Sequence, residues 1–439
     1  MASHSTSASD AYPQIYGPIP AGRTARGRLT PPGSKSLTQR YFALALLTRQ
    51  GLEIHRPLLS DDIRFFLDAL KAANFRVEES RDLLRVTPVG ELDDTPRDVF
   101  CGAGGTMMRF LTAALTAIPG QWRLDGIERL RERPVGPLVE ALRGAGATVR
   151  SEVTEGFPPL HLAGRSLRGG HTRLDAGASS QFLSAMLMAG MVTPEPLTVE
   201  VEALTSEPYV DLTVDAIREL GGDVERDGDL WTVHPRSGVA PESVRVEADF
   251  SAAAYPAAAA ALTGGKVRLD GLRSTSRQGD RAFISRLEEM GARVQWSDDA
   301  LDIQGAGLRA IDADLEATPD QVPTLAALAP FAEGTTRIRN VPHLRLKESD
   351  RLAAMTQELR RAGAEVEELE DGLIIPGVWA DEAPPETPVR CLSHGDHRIA
   401  MSMALVGLRR PRLEIDQPSV VSKSYPDFWR DFESLTGAP

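Results

Sequence analysis

Apolar positions along the chain follow two alternating patterns, each of which predicts an α-helix followed by a β-strand. In the first pattern, apolar residues recur at helical spacing and the helix ends at a residue that tolerates positive φ, as in LKAANFRVEE and IRELGGDVER. Five copies have this residue, at Asn74, Gly146, Gly221, Gly291 and Gly363. Neighbouring copies lie about 70 to 75 residues apart, which indicates an internal repeat.

The second pattern is a polar start followed by a helix that is apolar on nearly every side. Ala, Leu and Met dominate these helices, which is typical of buried helices that pack closely together. The six copies are SKSLTQRYFALALL, GGTMMRFLTAALTA, SSQFLSAMLMAG, FSAAAYPAAAAALT, DQVPTLAALAPF and DHRIAMSMALVG.

Together the two patterns predict an α/β protein built from six units of about 70 residues. Such units are longer than the usual solenoid repeat, so we expect two pseudo-symmetric domains of three units each. A helix, a Gly and a strand follow one another in any α/β protein. The regular spacing nevertheless favours a true repeat.

Polar and charged residues gather where the buried helices begin. Free backbone N–H groups at a helix N-terminus suit phosphate or carboxylate. Ser, Thr and Asp also favour such positions as ordinary N-caps, but a cation there opposes the helix dipole, so capping does not explain Lys35 or Arg398. We therefore predict anion sites at these helix starts. The four most polar starts are Ser34-Lys35-Ser36, Gly104-Gly105-Thr106, Ser179-Ser180-Gln181 and Asp396-His397-Arg398.

The first of these starts, in PGSKSLTQR, is not a P-loop. That motif needs a Gly immediately before the Lys, and Ser34 occupies that place while Leu29 occupies the first Gly position. The sequence therefore predicts an anion other than a nucleoside triphosphate at this turn.

Two further stretches are dense in charge. The first, GIERLRERPVG, contains Arg129, Arg131 and Arg133. The second, HLRLKESDRL, combines cations with two carboxylates and is equally compatible with a solvated helix start. Its charged or titratable residues are His343, Arg345, Lys347, Glu348, Asp350 and Arg351.

Charge and cysteine content narrow the class of protein. The net charge of −13 disfavours non-specific binding to nucleic acid or to an anionic membrane, so anion sites must be local clusters of cations. Cys101 and Cys391 lie far apart, which argues against a disulfide framework and a paired-Cys zinc site and suits a reducing compartment. The first residues, MASHSTSASD, have no apolar signal region and are expected to be a disordered leader of about 12 residues.

Eight motifs, in order, resemble one enzyme family across nearly the whole chain. They are GSKSLTQR, CGAGGTMMRFL, LRERPVGPLVEALR, SSQFLSAMLM, SEPYV, KESDRL, GDHRIAMS and SKSYPDF. In this combination they are similar to the 5-enolpyruvylshikimate-3-phosphate synthases, or 3-phosphoshikimate 1-carboxyvinyltransferases. The resemblance implies an inside-out α/β barrel fold, with two domains of three βαβαββ units.

The resemblance also implies an activity. Members transfer the enolpyruvyl group of phosphoenolpyruvate to the 5-hydroxyl of shikimate 3-phosphate, by addition and elimination, in chorismate and aromatic amino acid biosynthesis. It implies a cytoplasmic monomer that needs no cofactor and no metal, with these two small molecules as partners and neither nucleic acid nor membrane among them.

Family positions carry over to named residues. Lys35 would contact both substrates, Asp320 would accept the proton of the 5-hydroxyl, and Glu348 would donate a proton to the enol carbon. Shikimate 3-phosphate would be bound by Lys35, Ser36, Arg40, Ser179, Ser180, Gln181, Ser206, Tyr209, Asp320, His343 and Lys347. Phosphoenolpyruvate would be bound by Lys35, Gly105, Arg129, Gln181, Arg351, Arg398 and Lys423.

Four positions depart from the best-known form of the family pattern. Ala103 replaces an Asn, Phe110 replaces a Pro, Glu207 replaces a Lys, and His343 replaces a substrate-binding Asn. We expect the reaction to survive these changes. Sensitivity to glyphosate, the family's known inhibitor, does not follow from the resemblance, because the loop around Gly105 shapes its pocket.

Three alternatives stay open from the sequence. A UDP-N-acetylglucosamine 1-carboxyvinyltransferase shares the fold but uses a loop Cys, whereas Cys101 and Cys391 are more simply small buried residues. A kinase of another class is disfavoured by the failed P-loop test. A non-catalytic anion-binding scaffold is disfavoured by the presence of both Asp320 and Glu348.

We expect the first domain to be interrupted. Residues 1–33 and 249–439 would form one domain and residues 34–248 the other, with hinges near Gly33 and Asp249. The active site would lie in the cleft between the domains.

Overall fold

The structure is a computed structural model that describes residues 13–80, 82–238, 241–379 and 386–437. The leader of about 12 residues lies outside the described residues. Two compact units are present. One contains residues 33–247, and the other contains the residues up to Pro32 together with those from Ala248 onward.

Short strands and helices alternate along the chain. The strands are β1 (Ile15–Tyr16), β2 (Arg26–Leu29), β3 (Leu52–His55), β4 (Phe75–Ser80), β5 (Leu83–Pro88), β6 (Pro96–Phe100), β7 (Gln121–Asp125), β8 (Thr148–Ser151), β9 (Leu160–Ala163), β10 (Gly170–Ala176), β11 (Leu197–Leu204), β12 (Asp223–Asp227), β13 (Leu230–His234), β14 (Ser243–Arg245), β15 (Lys266–Asp270), β16 (Arg293–Ser297), β17 (Ala300–Gln304), β18 (Asp312–Asp314), β19 (Thr335–Arg339), β20 (Glu367–Glu368), β21 (Leu373–Pro376), β22 (Val389–Cys391) and β23 (Leu413–Asp416). The helices are α1 (Lys35–Thr48), α2 (Asp61–Ala72), α3 (Gly105–Ala117), α4 (Glu128–Arg131), α5 (Gly136–Gly144), α6 (Gln181–Gly190), α7 (Pro208–Glu219), α8 (Phe250–Thr263), α9 (Ala282–Glu289), α10 (Val322–Leu328), α11 (Arg351–Arg361), α12 (His397–Gly407) and α13 (Phe428–Thr436).

The unit of residues 33–247 contains three four-stranded sheets among its described residues. Their strand orders are β14-β3-β5-β4, β6-β7-β9-β8 and β10-β11-β13-β12. In each sheet the first pair is parallel and the other pairs are antiparallel. The first sheet takes β14 from the far end of the segment, so its repeat is completed by residues distant in sequence.

The other unit also contains three sheets in its described part, with orders β16-β17-β15-β2, β18-β19-β21-β20 and β1-β23-β22. Strand β2 pairs in parallel with β15, and β1 pairs antiparallel with β23. The N-terminal segment therefore completes two of these sheets. The predicted α/β class, with three sheet-and-helix units in each of two domains, is confirmed.

The predicted helix ends are confirmed as left-handed positions. Asn74, Gly146, Gly221, Gly291 and Gly363 have φ angles between 58° and 110°, and each lies two residues after the last residue of a helix. At Gly291 a Cβ atom would lie 2.7 Å from the carbonyl oxygen of Gly307, so a side chain is excluded there by space as well as by φ.

The six predicted apolar helices are the buried ones. Helices α1, α3 and α6 lie in the core of one unit, and α8, α10 and α12 lie in the core of the other. Burial on all sides explains why their sequences lack a polar face. Within the described part of the chain, no helix combines the length and the apolar character needed to cross a membrane.

Candidate active site

The two buried helices that begin beside the predicted cations Lys35 and Arg398, α1 and α12, each have a side-chain N-cap. Ser34 Oγ accepts a hydrogen bond from Leu37 N at 3.4 Å, and Asp396 Oδ1 accepts one from Arg398 N at 3.0 Å. The N-capping interpretation is therefore correct for these two residues. It leaves Lys35 and Arg398 to be explained by what else they contact.

Arg351 is the centre of a buried cluster in the unit that contains α12. Its side chain is 2% exposed, and all of its guanidinium nitrogens donate to carboxylates. Nε donates to Asp396 Oδ2 at 2.8 Å, Nη1 to Asp320 Oδ1 at 2.8 Å, and Nη2 to Glu348 Oε2 at 2.9 Å. This arrangement brings together the two residues predicted as base and acid.

Two more predicted cations complete this carboxylate–arginine cluster. Arg398 Nη2 donates to Asp320 Oδ2 at 2.6 Å, and Lys423 Nζ lies 3.2 Å from Glu348 Oε1. Asp320 and Glu348 are thus each held between two cations, because Arg351 contacts both of them. The cluster consists of Asp320, Glu348, Arg351, Asp396, Arg398 and Lys423.

The charges of the carboxylate–arginine cluster shift the pKa values of its members. Burial acts to raise the pKa of Asp320, but the charges of Arg398, Arg351 and Lys347 outweigh it and hold this pKa well below its usual range. Burial acts to lower the pKa of Arg351, and the carboxylates of Asp396, Glu348 and Asp320 more than reverse this. Asp320 is therefore ionised at neutral pH, as a general base must be.

His343 lies beside the same cluster as a neutral side chain. Burial lowers its pKa to about 4, and the charges of Lys347 and Arg351 add to this effect while Asp320 opposes it. Its Nε2 atom has no hydrogen-bond partner among the described residues. This buried, unsatisfied nitrogen is available to a ligand.

The second group of predicted residues lies in the unit of residues 33–247, around Arg40. Its Nε donates to Thr213 Oγ1 at 2.8 Å, Nη1 to the Ser36 carbonyl at 2.9 Å, and Nη2 to the Tyr209 carbonyl at 2.7 Å. Burial lowers the pKa of Arg40 to about 10, so it stays charged at neutral pH. One hydroxyl and two carbonyl oxygens accept these hydrogen bonds. Because all three groups are neutral, they do not balance the positive charge of the Arg40 guanidinium.

Gln181 is held in one orientation at the start of α6. Arg109 Nη1 donates to its Oε1 at 2.6 Å, and its Nε2 donates to Thr106 Oγ1 at 2.9 Å. Ser179 and Ser180, which precede Gln181 in sequence, are also buried. Lys35 is the first residue of α1, and its Nζ lies 3.5 Å from Oδ2 of Asp62 in α2. Ser206, also predicted to bind shikimate 3-phosphate, is buried with a φ of 53°.

Among the arginines of GIERLRERPVG, the one beside Gly105 is Arg133. A Cβ atom on Gly105 would lie 2.6 Å from Arg133 Cζ, and Arg133 is 6% exposed. The side chain of Arg129 is 40% exposed and pairs with Glu132 at 2.8 Å on the same helical turn. The family resemblance implies Arg129 as a phosphoenolpyruvate ligand, and the charge pattern of the stretch contains no signal that points to Arg133.

The atypical positions are accommodated locally. Phe110 is buried, and the Arg40 guanidinium carbon lies 5.3 Å from its ring centroid. Glu207 Oε1 pairs with Arg226 Nη1 at 2.5 Å on the surface. Neither side chain is a member of the carboxylate–arginine cluster.

Fold and site together define an α/β protein of two three-repeat units, with cations at buried helix starts and two carboxylates that each pair with two cations. Residues 19–432 match the profile of the family described as EPSP synthase (3-phosphoshikimate 1-carboxyvinyltransferase). The chain belongs to this family.

Similar proteins are found among sequences and solved structures. The chain is 43% identical to a 3-phosphoshikimate 1-carboxyvinyltransferase of Syntrophobacter fumaroxidans, over 93% of this chain and 97% of that protein. It is 40% identical to the protein of the same name from Vibrio atlanticus, with the same coverage. A solved EPSP synthase from Acinetobacter baumannii is similar with a TM-score of 0.76 and 26% identity, over 95% of this chain and 97% of that one.

Proposed function

We propose that the protein transfers the enolpyruvyl group of phosphoenolpyruvate to the 5-hydroxyl of shikimate 3-phosphate and releases phosphate. Membership of the family supports this reaction, which belongs to chorismate and aromatic amino acid biosynthesis. The observation that carries it is the placement of Asp320 and Glu348, each between two cations of one cluster. An addition–elimination on an enol phosphate needs a base, an acid and anion-binding cations together.

The two substrates carry two phosphates and two carboxylates, which suit these side chains. The guanidinium fork of an arginine meets phosphate or carboxylate with two hydrogen bonds, and the helix starts add backbone N–H groups. For phosphoenolpyruvate we propose Arg129, as the family resemblance implies, and we add Arg133, because Arg133 is the arginine that lies against Gly105. The other phosphoenolpyruvate ligands are Lys35, Gly105, Gln181, Arg351, Arg398 and Lys423. The shikimate 3-phosphate ligands are Lys35, Ser36, Arg40, Ser179, Ser180, Gln181, Ser206, Tyr209, Asp320, His343 and Lys347.

Addition comes first in the proposed mechanism. Asp320 accepts the proton of the 5-hydroxyl as its oxygen bonds to C2 of phosphoenolpyruvate, and Glu348 protonates C3. Without substrate, Arg351 and Arg398 hold the Asp320 carboxylate. A substrate phosphate that takes over these two arginines raises the pKa of Asp320, because their charges are what depress it. Binding thereby makes Asp320 a stronger base.

Elimination then regenerates the vinyl group. A proton leaves C3, the C2–O bond to phosphate breaks, and the phosphate departs with its electron pair. Lys35 and the arginines stabilise the charge that develops on the leaving phosphate. The C3 proton returns to Glu348, which Arg351 and Lys423 hold in position.

The buried cysteines argue against the UDP-sugar alternative. Burial raises the pKa of both Cys101 and Cys391, and nearby carboxylates add to the effect at each. A thiol with a raised pKa is a poor nucleophile and acid. Thiol alkylation of the folded protein should leave its activity intact, whereas inactivation that phosphoenolpyruvate prevents would favour the UDP-sugar reaction.

The test of the function is phosphate release from phosphoenolpyruvate. We expect release only when shikimate 3-phosphate is present, with UDP-N-acetylglucosamine unable to replace it. Release with the UDP-sugar, or no release with either acceptor, would contradict the proposal.

The setting of the activity remains a prediction from composition and family. We propose that the active species is a monomer in a reducing, cytoplasmic compartment. Sedimentation velocity at assay concentrations would test the monomer, since a faster-sedimenting active species would contradict it.

A further inference from the structure

Asp280 is a buried carboxyl group that the proposed mechanism does not use. It lies in the short 3-10 turn Gly279–Arg281, directly before α9, and it is 2% exposed. A buried carboxylate is costly unless hydrogen bonds satisfy it, so the residues that it contacts indicate what it holds in place.

Asp280 joins two other segments of the same unit. Its Oδ2 accepts a hydrogen bond from Gln321 Nε2 at 3.0 Å, and it also accepts one from Ser251 Oγ in the first turn of α8. Gln321 is fully buried and ends the 3-10 turn Pro319–Gln321, on which Asp320 is the middle residue. The oxygen of the same side-chain amide, Oε1, has no hydrogen-bond partner in the described part of the chain.

We propose that Asp280 is a positioning residue for Asp320, because it holds the turn that presents this carboxylate to the substrate hydroxyl. The link runs from Asp280 through the Gln321 side chain to the backbone of the turn. Since Asp320 is the base of the proposed reaction, the inference rests on the proposed function. A base must lie within hydrogen-bond reach of its proton, so a displacement of about 1 Å is sufficient to slow the reaction severely.

The pKa shifts of Asp280 and Asp320 agree with a positioning role for Asp280 and a base role for Asp320. Burial and the charge of Asp320 raise the pKa of Asp280, although Arg398, Ser251 and Gln321 act against the rise. The pKa of Asp320 is lowered, chiefly because Arg398 and Arg351 outweigh its burial. The cations around Asp320 hold it ionised, as a base must be, whereas Asp280 makes hydrogen bonds to Gln321 and Ser251 that join segments of the unit.

The test compares removal of the Asp280 side chain with its replacement by an isostere. Asp280→Ala removes the acceptor for Gln321, and we expect kcat to fall roughly 10- to 100-fold with a much smaller change in KM for phosphoenolpyruvate. Asp280→Asn keeps one oxygen, which can accept from both Gln321 and Ser251 as Oδ2 of Asp280 does, so it should retain most of the wild-type kcat. Gln321→Ala should reproduce Asp280→Ala, and the double variant should fall no further, because both break one link.

A matched control separates positioning from stability. Tyr16→Phe removes the 2.8 Å hydrogen bond from Tyr16 to Glu433 in the same unit, and it should lower Tm without changing kcat. If Asp280→Ala behaves like this control, or if Asp280→Ala and Gln321→Ala are additive, the positioning role is overturned.

A structural readout keeps the inference testable apart from activity. A crystal structure of Asp280→Ala should show the 319–321 turn displaced from its wild-type position. An unmoved turn would overturn the inference, whatever the assay shows. If the wild-type protein releases no phosphate, the proposed function is contradicted. The comparison of crystal structures would still decide whether Asp280 holds the turn.

Discussion

At Asp320, burial and ion pairing act on one carboxyl group in opposite directions. Burial alone would favour the neutral acid, but Arg398 and Arg351 donate to both carboxylate oxygens and keep it charged. The sequence predicted the identity of this residue from its motif. It did not predict the partners, because Arg398 lies 78 positions further along the chain.

The acid and base should each be essential to turnover. Asp320→Asn and Glu348→Gln keep the shape of the side chains but remove the proton-transfer function, so we expect each to lower kcat by about 100-fold or more. Steady-state phosphate release measures this. Asp312→Asn, which alters a partly exposed ion pair with Arg339 in the same unit, is the control and should keep wild-type kcat. Near wild-type turnover in either active-site variant would remove that residue from the mechanism.

Lys35 should be at least as important as the acid–base pair. Lys35→Met keeps the length of the side chain but removes the charge that we place between the two substrates. We expect kcat/KM to fall by about 100-fold or more for both substrates. A mild effect, or an effect on one substrate alone, would contradict the shared role.

The depressed pKa of Asp320 also predicts a pH dependence of stability. A carboxyl whose pKa is lower in the folded state than in the unfolded state stabilises the fold above its unfolded pKa, near 4. This contribution is lost progressively as pH falls below that value. Asp320→Asn should therefore reduce the free energy of unfolding most above pH 5, and the difference from wild type should shrink towards pH 3. Urea unfolding across this range tests it, and a constant difference would contradict it.

At the scale of elements, a capping residue at a helix start also pairs with a cation of the candidate site. Asp396 caps α12 through the Arg398 amide and also accepts from Arg351 in α11, so one side chain joins two elements at the site. The helix starts themselves were predictable, because caps, apolar runs and positive-φ residues are local signals. The approach of Arg133 to Gly105 was not predictable, because it joins residues of two segments that are separated in the chain.

The start of α3 should be sensitive to a single methyl group. In Gly105→Ala the new Cβ would lie 2.6 Å from Arg133 Cζ, so the guanidinium must move. Because we assign Arg133 to phosphoenolpyruvate, its KM should rise about tenfold or more while the affinity for shikimate 3-phosphate changes little. Steady-state kinetics with each substrate varied in turn measures this. Equal losses for both substrates would indicate general damage to the helix.

At the scale of the whole molecule, the chain passes between the two compact units at two places, near residues 32 and 247. The residues proposed to bind substrates are divided between the units. Lys35, Arg40 and Gln181 belong to one, and Arg351 and Arg398 belong to the other. An active site that uses both sets stays a prediction, and compaction of the protein by its ligands would test it.

Ligand binding should therefore make the protein more compact. We expect the radius of gyration from X-ray scattering to decrease when shikimate 3-phosphate is added with a phosphoenolpyruvate-site inhibitor. Lys35→Met, which removes the shared contact, should weaken the response at equal ligand concentration. An unchanged scattering curve at saturating ligand would contradict closure.

The sequence by itself determined the repeat, the buried helices and the positions where helices end, because each of these depends on residues close together in the chain. It also identified the family motifs, and with them most of the candidate site. Only the tertiary structure decided which strands complete the sheets, as β14 and β1 do, and which cation meets which carboxylate. These strand and ion pairings join residues far apart in sequence. The energy of each ion pair depends on how deeply it is buried, and a local pattern of charge contains no information about burial.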